Sequence, residues 1–95
     1  MALFVLMCVD HAGGLERRMA AREAHLAYVR EQMATVKVAG PLLNEVGEMA
    51  GSMFVLEAPD MAAVEAFTAA DPYRLAGVFA RTEMHAWKVT VGVLG

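Results

Sequence analysis

The stretch that most limits the fold of this chain is "ALFVLMCV", residues 2 to 9, which contains no polar side chain. Successive residues of a strand point to opposite faces of a sheet, so a strand of this composition is apolar on both faces. In a second stretch, "SMFVLEA", both alternating sets are apolar, Met53 with Val55 and Phe54 with Leu56. The sheet that contains these strands therefore needs a cover on each side.

The other segments predict a βαββαβ order. Residues 15 to 34 contain no Gly or Pro and are rich in Ala, Glu, Arg and Met, which favours one long helix. The later segments are a strand at "TVKVAGPLL" interrupted at Gly40-Pro41, a turn at "NEVGE", a strand at "MAGSMFVLEA", a short helix in "PDMAAVEAFTAAD" and a final strand at about residues 78 to 91. This order predicts an α+β, ferredoxin-like fold, an antiparallel sheet with both helices on one face.

The second face of that sheet has no cover within the chain. At 95 residues the chain has room for one domain, residues 1–95, and one core. A homodimer in which two sheets pack face to face would bury the second apolar face. Whether such dimers associate further is left open.

Composition excludes several classes of partner. The net charge is −3 and no Lys/Arg run is present, so we expect no nucleic-acid partner. The apolar N-terminal stretch is too short to span a membrane and lacks a basic leader, so we expect a soluble cytoplasmic protein without a membrane partner.

The residue types that bind metals and cofactors occur without a usable pattern. His11, His25 and His85 lack the spacing of a metal site, and "HAGG" is not a phosphate-binding loop. Cys8, the single cysteine, lies in the middle of a strand and is interpreted as a small hydrophobic residue. The sequence thus predicts neither a metal nor a cofactor.

The long helix carries three potential cations near its apolar stripe. Arg22 falls inside the stripe, and Arg18 and His25 fall along one edge of it. Such a group suits an anion or a polarised oxygen on a small ligand. The alternative is structural, since a boundary arginine commonly extends to water and a boundary histidine is commonly packed. The stripe itself is predicted from Leu15, Met19, Leu26, Val29 and Met33.

The segment "AADPYRLAGVF" begins a helical turn. Asp71 is a strong helix N-cap, and Pro72 suits the first helical position, where no amide hydrogen is needed. If Asp71 also reaches His25, it holds one tautomer of the imidazole and leaves the other ring nitrogen free to take or give a proton. Capping and catalysis are compatible, so both interpretations remain open.

Five stretches in order, "RRMAAREAHLAYV", "AGPLL", "GEMAGSMFVLEA", "DPYRLAGVF" and "HAWKV", resemble the YCII-related family over nearly the whole chain. The most specific pieces are the pair His25-Leu26 and the block from Asp71 to Gly77. The resemblance implies a ferredoxin-like member of the dimeric α+β barrel superfamily. It also implies an active-site pair of His25 and Asp71, with Ser52 beside the same cleft.

The predicted function combines the residues and the resemblance. His25 would be the general acid/base and Asp71 its orienting partner in a cofactor-independent lyase or isomerase. The substrate would be a small cyclic or carbonyl-bearing acid, by analogy with the superfamily's muconolactone isomerases. Arg22 and Ser52 would hold its anionic end, and Arg18 and Tyr73 would line the same site. The alternative is a non-catalytic ligand-binding or accessory protein that uses this cleft.

Overall fold

The structure, a computed structural model, describes residues 1–94 and has the predicted βαββαβ order, with the helical turn predicted at Asp71-Pro72 before the last strand. The predicted domain ends at Gly95, which lies outside the described residues. In chain order the elements are β1 (Ala2–Asp10), α1 (Leu15–Glu31), β2 (Val36–Leu43), β3 (Met49–Ala58), α2 (Met61–Ala69), α3 (Pro72–Leu75) and β4 (Phe79–Trp87).

The four strands form one antiparallel sheet in the order β2-β3-β1-β4. The two apolar strands, β1 and β3, are its central pair, with Leu6 opposite Phe54. The strands β2 and β4 are the edges. This is the ferredoxin-like α+β architecture that the sequence predicts, and the fold prediction is confirmed.

The long helix and the last strand both end earlier than predicted. The long helix ends at Glu31 because the amides of Thr35 and Val36 both donate to the Gln32 carbonyl, which closes a turn. The last strand ends at Trp87 because Trp87 already pairs with Leu3, at the start of β1. Beyond that point no partner strand continues.

The predicted interruption at Gly40-Pro41 does not break β2, which runs through both residues. Proline cannot donate to a ladder, but an edge strand has one side without a neighbour, so proline is accommodated there. The pairing with β3 instead shifts register near each end of the strand, between Val36 and Val38 and between Leu42 and Leu43.

The core lies between the sheet and the helices. Alternate residues of β1 point into it, so Phe4, Leu6 and Cys8 are buried. The predicted second helix, α2, begins after the capping residue Asp60, whose side chain accepts from the amide of Ala63. The core is completed by Val36, Phe54, Leu56, Ala58, Val64 and Phe67.

The other face of the sheet is apolar in the centre and mostly polar along β4. Val5 and Met7 are half-buried, and Met53 is 37% exposed. The residues of β4 that pair with Met7 and Val5 are Glu83 and His85, which are exposed. The apolar surface is therefore formed mainly by β1, β2 and β3, and on β4 it includes Trp87, which pairs with Leu3 and is exposed. Among residues 1–94, no helix has the length and apolar character that crossing a bilayer would require.

Candidate active site

Helix α1 buries polar side chains toward the sheet. Arg18 is 2% exposed and His25 is 8% exposed, whereas Met19 and Met33 are 52% and 56% exposed. The prediction that Arg18 and His25 lie at an edge of the buried stripe is therefore wrong: they are its most buried members. Their burial is possible because acidic and hydroxyl partners from other elements meet them there, a tertiary effect that helical periodicity does not contain.

His25 and Asp71, predicted as a pair, lie in contact. Nδ1 of His25 is 2.8 Å from Oδ1 of Asp71, and Asp71 is fully buried. The same oxygen accepts the backbone N–H of Tyr73 at 2.9 Å, which makes Asp71 the N-cap of α3. The same oxygen atom of Asp71 thus caps the helix and contacts the imidazole.

The geometry of this pair assigns the proton on the imidazole. An ionised carboxylate only accepts hydrogen bonds, so His25 donates from Nδ1 and its Nε2 is the acceptor nitrogen of the neutral ring. The second carboxylate oxygen, Oδ2 of Asp71, is buried and has no hydrogen-bond partner within residues 1–94, and the same holds for Oγ1 of Thr68. All of the observed hydrogen bonding of the Asp71 side chain is therefore concentrated on Oδ1.

Arg18 forms a second buried network. Its Nε is 2.7 Å from Oδ2 of Asp10, and its Nη2 is 3.2 Å from Oδ1 of Asp10 and 2.7 Å from Oγ of Ser52. Two parallel bonds from one guanidinium to one carboxylate give a rigid ion pair. Arg18 is thereby occupied by protein groups.

Asp10 is absent from the predicted site residues. The signal that points to it is the strand alternation, since Asp10 continues the buried series Phe4, Leu6 and Cys8 at the end of β1. An acidic residue at a core-facing strand position needs a cationic or hydrogen-bonding partner.

The Tyr73 ring lies between the two networks. It stacks on the His25 imidazole with ring centroids 3.9 Å apart and an interplanar angle of 13°. The Arg18 guanidinium carbon lies 4.4 Å from the Tyr73 centroid. Arg18 and His25 are seven residues apart, about 10.5 Å along a helix, so the aromatic ring fills the gap between them.

Burial raises the pKa of the Tyr73 hydroxyl, although the charges of Arg18 and Arg22 act in the opposite direction. The phenol therefore stays protonated at ordinary pH and keeps a proton to donate.

A cavity of about 200 Å³ opens beside these groups. Its polar wall contains five of the six predicted site residues, Arg18, Arg22, His25, Ser52 and Tyr73. The apolar wall comes from α1, β2 and β3, through Leu26, Val29, Ala39, Gly40, Pro41, Met49 and Phe54. Asp71, the sixth residue, does not line the cavity and reaches it through His25.

Arg22 differs from Arg18 in its exposure. It lies on the exposed side of α1 at the cavity, not inside a buried stripe as predicted. Within residues 1–94 it forms no salt bridge, whereas Arg18 is paired with Asp10. Of the two arginines, Arg22 has the guanidinium that can meet an anion in the cavity.

Cys8 is fully buried next to this polar region. Burial, reinforced by the negative charge of Asp71, raises the pKa of its thiol from 9.0 to about 12. The thiol is thus protonated at neutral pH, as expected for a packed cysteine. Among residues 1–94, no cluster of three or more His, Cys, Asp or Glu side chains could hold a metal ion.

The sequence of this chain matches that of known relatives along most of its length. Residues 2–88 match the model of the YCII-related domain. The chain is 32% identical over 94 residues to Protein YciI of Escherichia coli O6:H1, covering 90% of this chain and 96% of that protein. It has the same identity and coverage with Protein YciI of Shigella flexneri.

Solved structures with a similar fold include one enzyme of clear sequence similarity. It is 5-chloro-2-hydroxyhydroquinone dehydrochlorinase (TftG) from Burkholderia phenoliruptrix AC1100 in complex with 2,5-dihydroxybenzoquinone. The TM-score is 0.86 at 35% identity, covering 90% of this chain and 93% of that chain.

An antibiotic biosynthesis monooxygenase, with a TM-score of 0.57 at 10% identity over 96% of this chain and 100% of that one, shares the fold alone. The match of the YCII-related model to most of the chain, together with the two bacterial relatives, confirms the resemblance found in the sequence: the chain belongs to the YCII-related family.

Proposed function

We propose that this chain is a small-molecule enzyme in which His25 and Asp71 carry out acid/base chemistry without a cofactor. The observation that carries the proposal is the 2.8 Å contact between Nδ1 of His25 and Oδ1 of Asp71, at the wall of a cavity. A buried carboxylate that holds one imidazole nitrogen fixes the ring and leaves the other nitrogen for proton transfer.

In the proposed reaction, Nε2 of His25 removes a proton from the bound substrate. The electron pair left behind moves toward a carbonyl or enolic oxygen of the substrate, and Asp71 stabilises the imidazolium that forms. Return of the proton to another atom completes an isomerisation. Departure of a leaving group with its electron pair completes an elimination, which is lyase chemistry. In either case the proton that His25 takes is released to substrate, product or water.

The cavity supports a small, planar, oxygen-bearing substrate. Most of its wall is apolar, which suits the faces of a ring, and Arg22 supplies a guanidinium for an anionic oxygen. The dehydrochlorinase of similar structure was solved with 2,5-dihydroxybenzoquinone, a ring that carries both carbonyl and hydroxyl oxygens. We therefore place the substrate among small cyclic compounds with acidic hydroxyl, carboxyl or carbonyl groups.

We further propose that the chain works as a homodimer through the apolar part of its sheet. The support is the half-buried surface around Val5, Met7 and Met53, which the helices of the same chain do not cover. The predicted cytoplasmic location stays a prediction.

The function is tested with His25→Gln and the matched variant His85→Gln. His85 is an exposed histidine on β4, outside the cavity. Chloride release from 5-chloro-2-hydroxyhydroquinone and absorbance changes of small lactone acids report elimination and isomerisation. We expect His25→Gln to lower turnover by about 100-fold or more, the usual contribution of a general acid/base, and His85→Gln to retain it. If the wild-type chain binds these compounds without converting them, it is a ligand-binding protein and not an enzyme for them.

A further inference from the structure

Arg18 and Ser52 line the cavity, and Asp10 lies outside its lining as the partner of Arg18. All three side chains are buried, Asp10 at 9%, Arg18 at 2% and Ser52 at 3% exposure. Asp10 binds one edge of the Arg18 guanidinium, through Nε and Nη2, so Arg18 presents the second N–H of Nη2 to Oγ of Ser52 in a fixed direction at 2.7 Å. A guanidinium has no lone pair to accept with, so in this bond Ser52 is the acceptor.

The direction of that bond determines what Ser52 can do next. Its own hydroxyl proton must point away from Arg18, and within residues 1–94 no acceptor for it is found. Ser52 lines the cavity, where a ligand oxygen could accept this proton. A cation bound to the hydroxyl oxygen also makes the hydroxyl a stronger donor, since linked hydrogen bonds polarise one another.

We propose that Asp10 and Arg18 are positioning residues that orient Ser52 to donate a hydrogen bond to a carbonyl, enolate or phenolate oxygen of the substrate. The inference rests on the proposed function for the cavity as the place where such a ring binds. It separates the two arginines by role: Arg22 meets the ligand directly, while Arg18 acts through Ser52.

The positions of Ser52 and His25 suit one ring between them. Ser52 and Phe54 lie on the same face of β3, about 7 Å apart along the strand. His25 packs against Phe54 with ring centroids 6.0 Å apart. An oxygen held by Ser52 is thus displaced along the cavity from the nitrogen that takes the proton. Negative charge that moves to this oxygen during proton removal then meets a prepared donor.

The test is a set of absorbance titrations with 2,5-dihydroxybenzoquinone as the probe. The variants are Ser52→Ala, Arg18→Lys and their combination, with Cys8→Ala as the matched control. Cys8 lies opposite Ser52 in the sheet but does not line the cavity. We expect Ser52→Ala to raise Kd by about 10- to 100-fold, the effect of a lost hydrogen bond to a charged group, and Cys8→Ala to leave it within about twofold.

The double variant separates positioning from direct binding. If Arg18 acts through Ser52, Arg18→Lys raises the Kd of the probe in the wild-type background. In the Ser52→Ala background the same substitution causes no further rise in Kd. Equal weakening in both backgrounds would overturn the positioning role. If Ser52→Ala does not fold, Ser52→Cys replaces it, because the thiol is similar in size and a poor donor.

The remaining outcomes distinguish this inference from the proposed function. An unchanged Kd in Ser52→Ala, with turnover intact in the wild type, overturns the donor role and leaves the enzyme proposal standing. Binding that depends on Ser52 without any turnover supports the donor role and counts against catalysis. A wild-type chain that fails to bind the probe at millimolar concentration overturns both the ligand class and the donor proposed for it.

Discussion

Oδ1 of Asp71 lies 2.8 Å from Nδ1 of His25 and also caps helix α3. A second capping aspartate, Asp60, accepts from an amide at the start of α2 and is exposed. The two residues have the same local role, and one of them has an additional partner. Substitutions at both positions therefore separate the capping function from any chemical one.

Asp71→Asn is expected to remove turnover while the fold remains. Asn caps a helix about as well as Asp, so we expect the free energy of unfolding to fall by no more than about 1 kcal/mol. Loss of the negative charge beside His25 removes the stabilisation of the imidazolium formed in the reaction, and kcat should fall by about 100-fold. The measurements are denaturant unfolding and kcat on the substrate that the wild type converts. Asp60→Asn is the control and should leave both quantities near wild type; equal kcat values in the two variants would reduce Asp71 to a cap.

Arg22→Gln is expected to weaken the binding of anionic ligands. Arg22 lines the cavity and is exposed, so its removal should change stability little. The loss of a guanidinium from an anionic oxygen should raise KM by roughly 10-fold, with a smaller effect on kcat. Arg30, in the last turn of α1 and outside the cavity, gives the matched variant Arg30→Gln. A similar KM in both variants would mean that the substrate does not use Arg22.

Met53→Glu is expected to convert a dimer into monomers. Met53 lies on the apolar part of the open sheet face and is 37% exposed in the single chain. We expect the wild type to sediment at about twice the chain mass of 10.2 kDa and Met53→Glu at the chain mass, because a buried carboxylate at the interface is costly. Met19, 52% exposed on α1, supplies the control Met19→Glu, which should stay dimeric. A wild-type monomer at micromolar concentration would contradict the dimer proposal.

Cys8 should make the fold less stable at high pH. Its thiol pKa is raised from 9.0 to about 12, mainly by burial, so between these values the unfolded chain loses a proton that the folded chain keeps. The contribution of the protonated thiol to the free energy of unfolding is complete below pH 9. It is lost as pH rises toward 12, at about 1.4 kcal/mol per pH unit. The free energy of unfolding, measured with denaturant from pH 8 to 11, should therefore fall more steeply in the wild type than in Cys8→Ala.

The comparison with Cys8→Ala is necessary because burial also raises the pKa of Tyr28 and Tyr73. Both phenols add to the alkaline loss in either protein, so the difference between the two curves isolates the thiol. Parallel curves would show that Cys8 titrates alike in the folded and unfolded chain. In the folded wild type at pH 8, the thiol should also react slowly with alkylating reagents, since the thiolate is the reactive form.

The strands and the short capped helices could be predicted because their signals are local. The apolar run of β1 and the Asp71-Pro72 start of α3 are signals carried by neighbouring residues. The pairing partner that ends β4 at Trp87 is not local, and neither is the edge position that lets Pro41 stay within β2. These boundaries depend on which strand lies next in the sheet. That information is not present in any short segment of the sequence.

The same distinction applies to the candidate site. The contact between His25 and Asp71 was predicted through a family resemblance, since the residues are 46 positions apart. The deep burial of Arg18 was missed because the buried stripe was drawn through the apolar residues of the helix, which placed Arg18 at its edge. Its burial depends on Asp10 and Ser52, which arrive from two different strands. A polar residue can be assigned to a core only once its partners are known.

Helix α3 has four residues, fewer than an isolated helix needs to persist, so its shape is maintained by its contacts. These are the Asp71 cap, the insertion of the Tyr73 ring against His25, and the bond from Nη1 of Arg17 to the carbonyl of Gly77 at 3.0 Å. A segment held in this way can open locally while the sheet stays intact. Opening would withdraw the carboxylate and the aromatic ring from the imidazole together, so local melting of residues 71–77 would inactivate the site before the protein unfolds. Amide hydrogen exchange in this one segment would then follow the loss of activity with temperature.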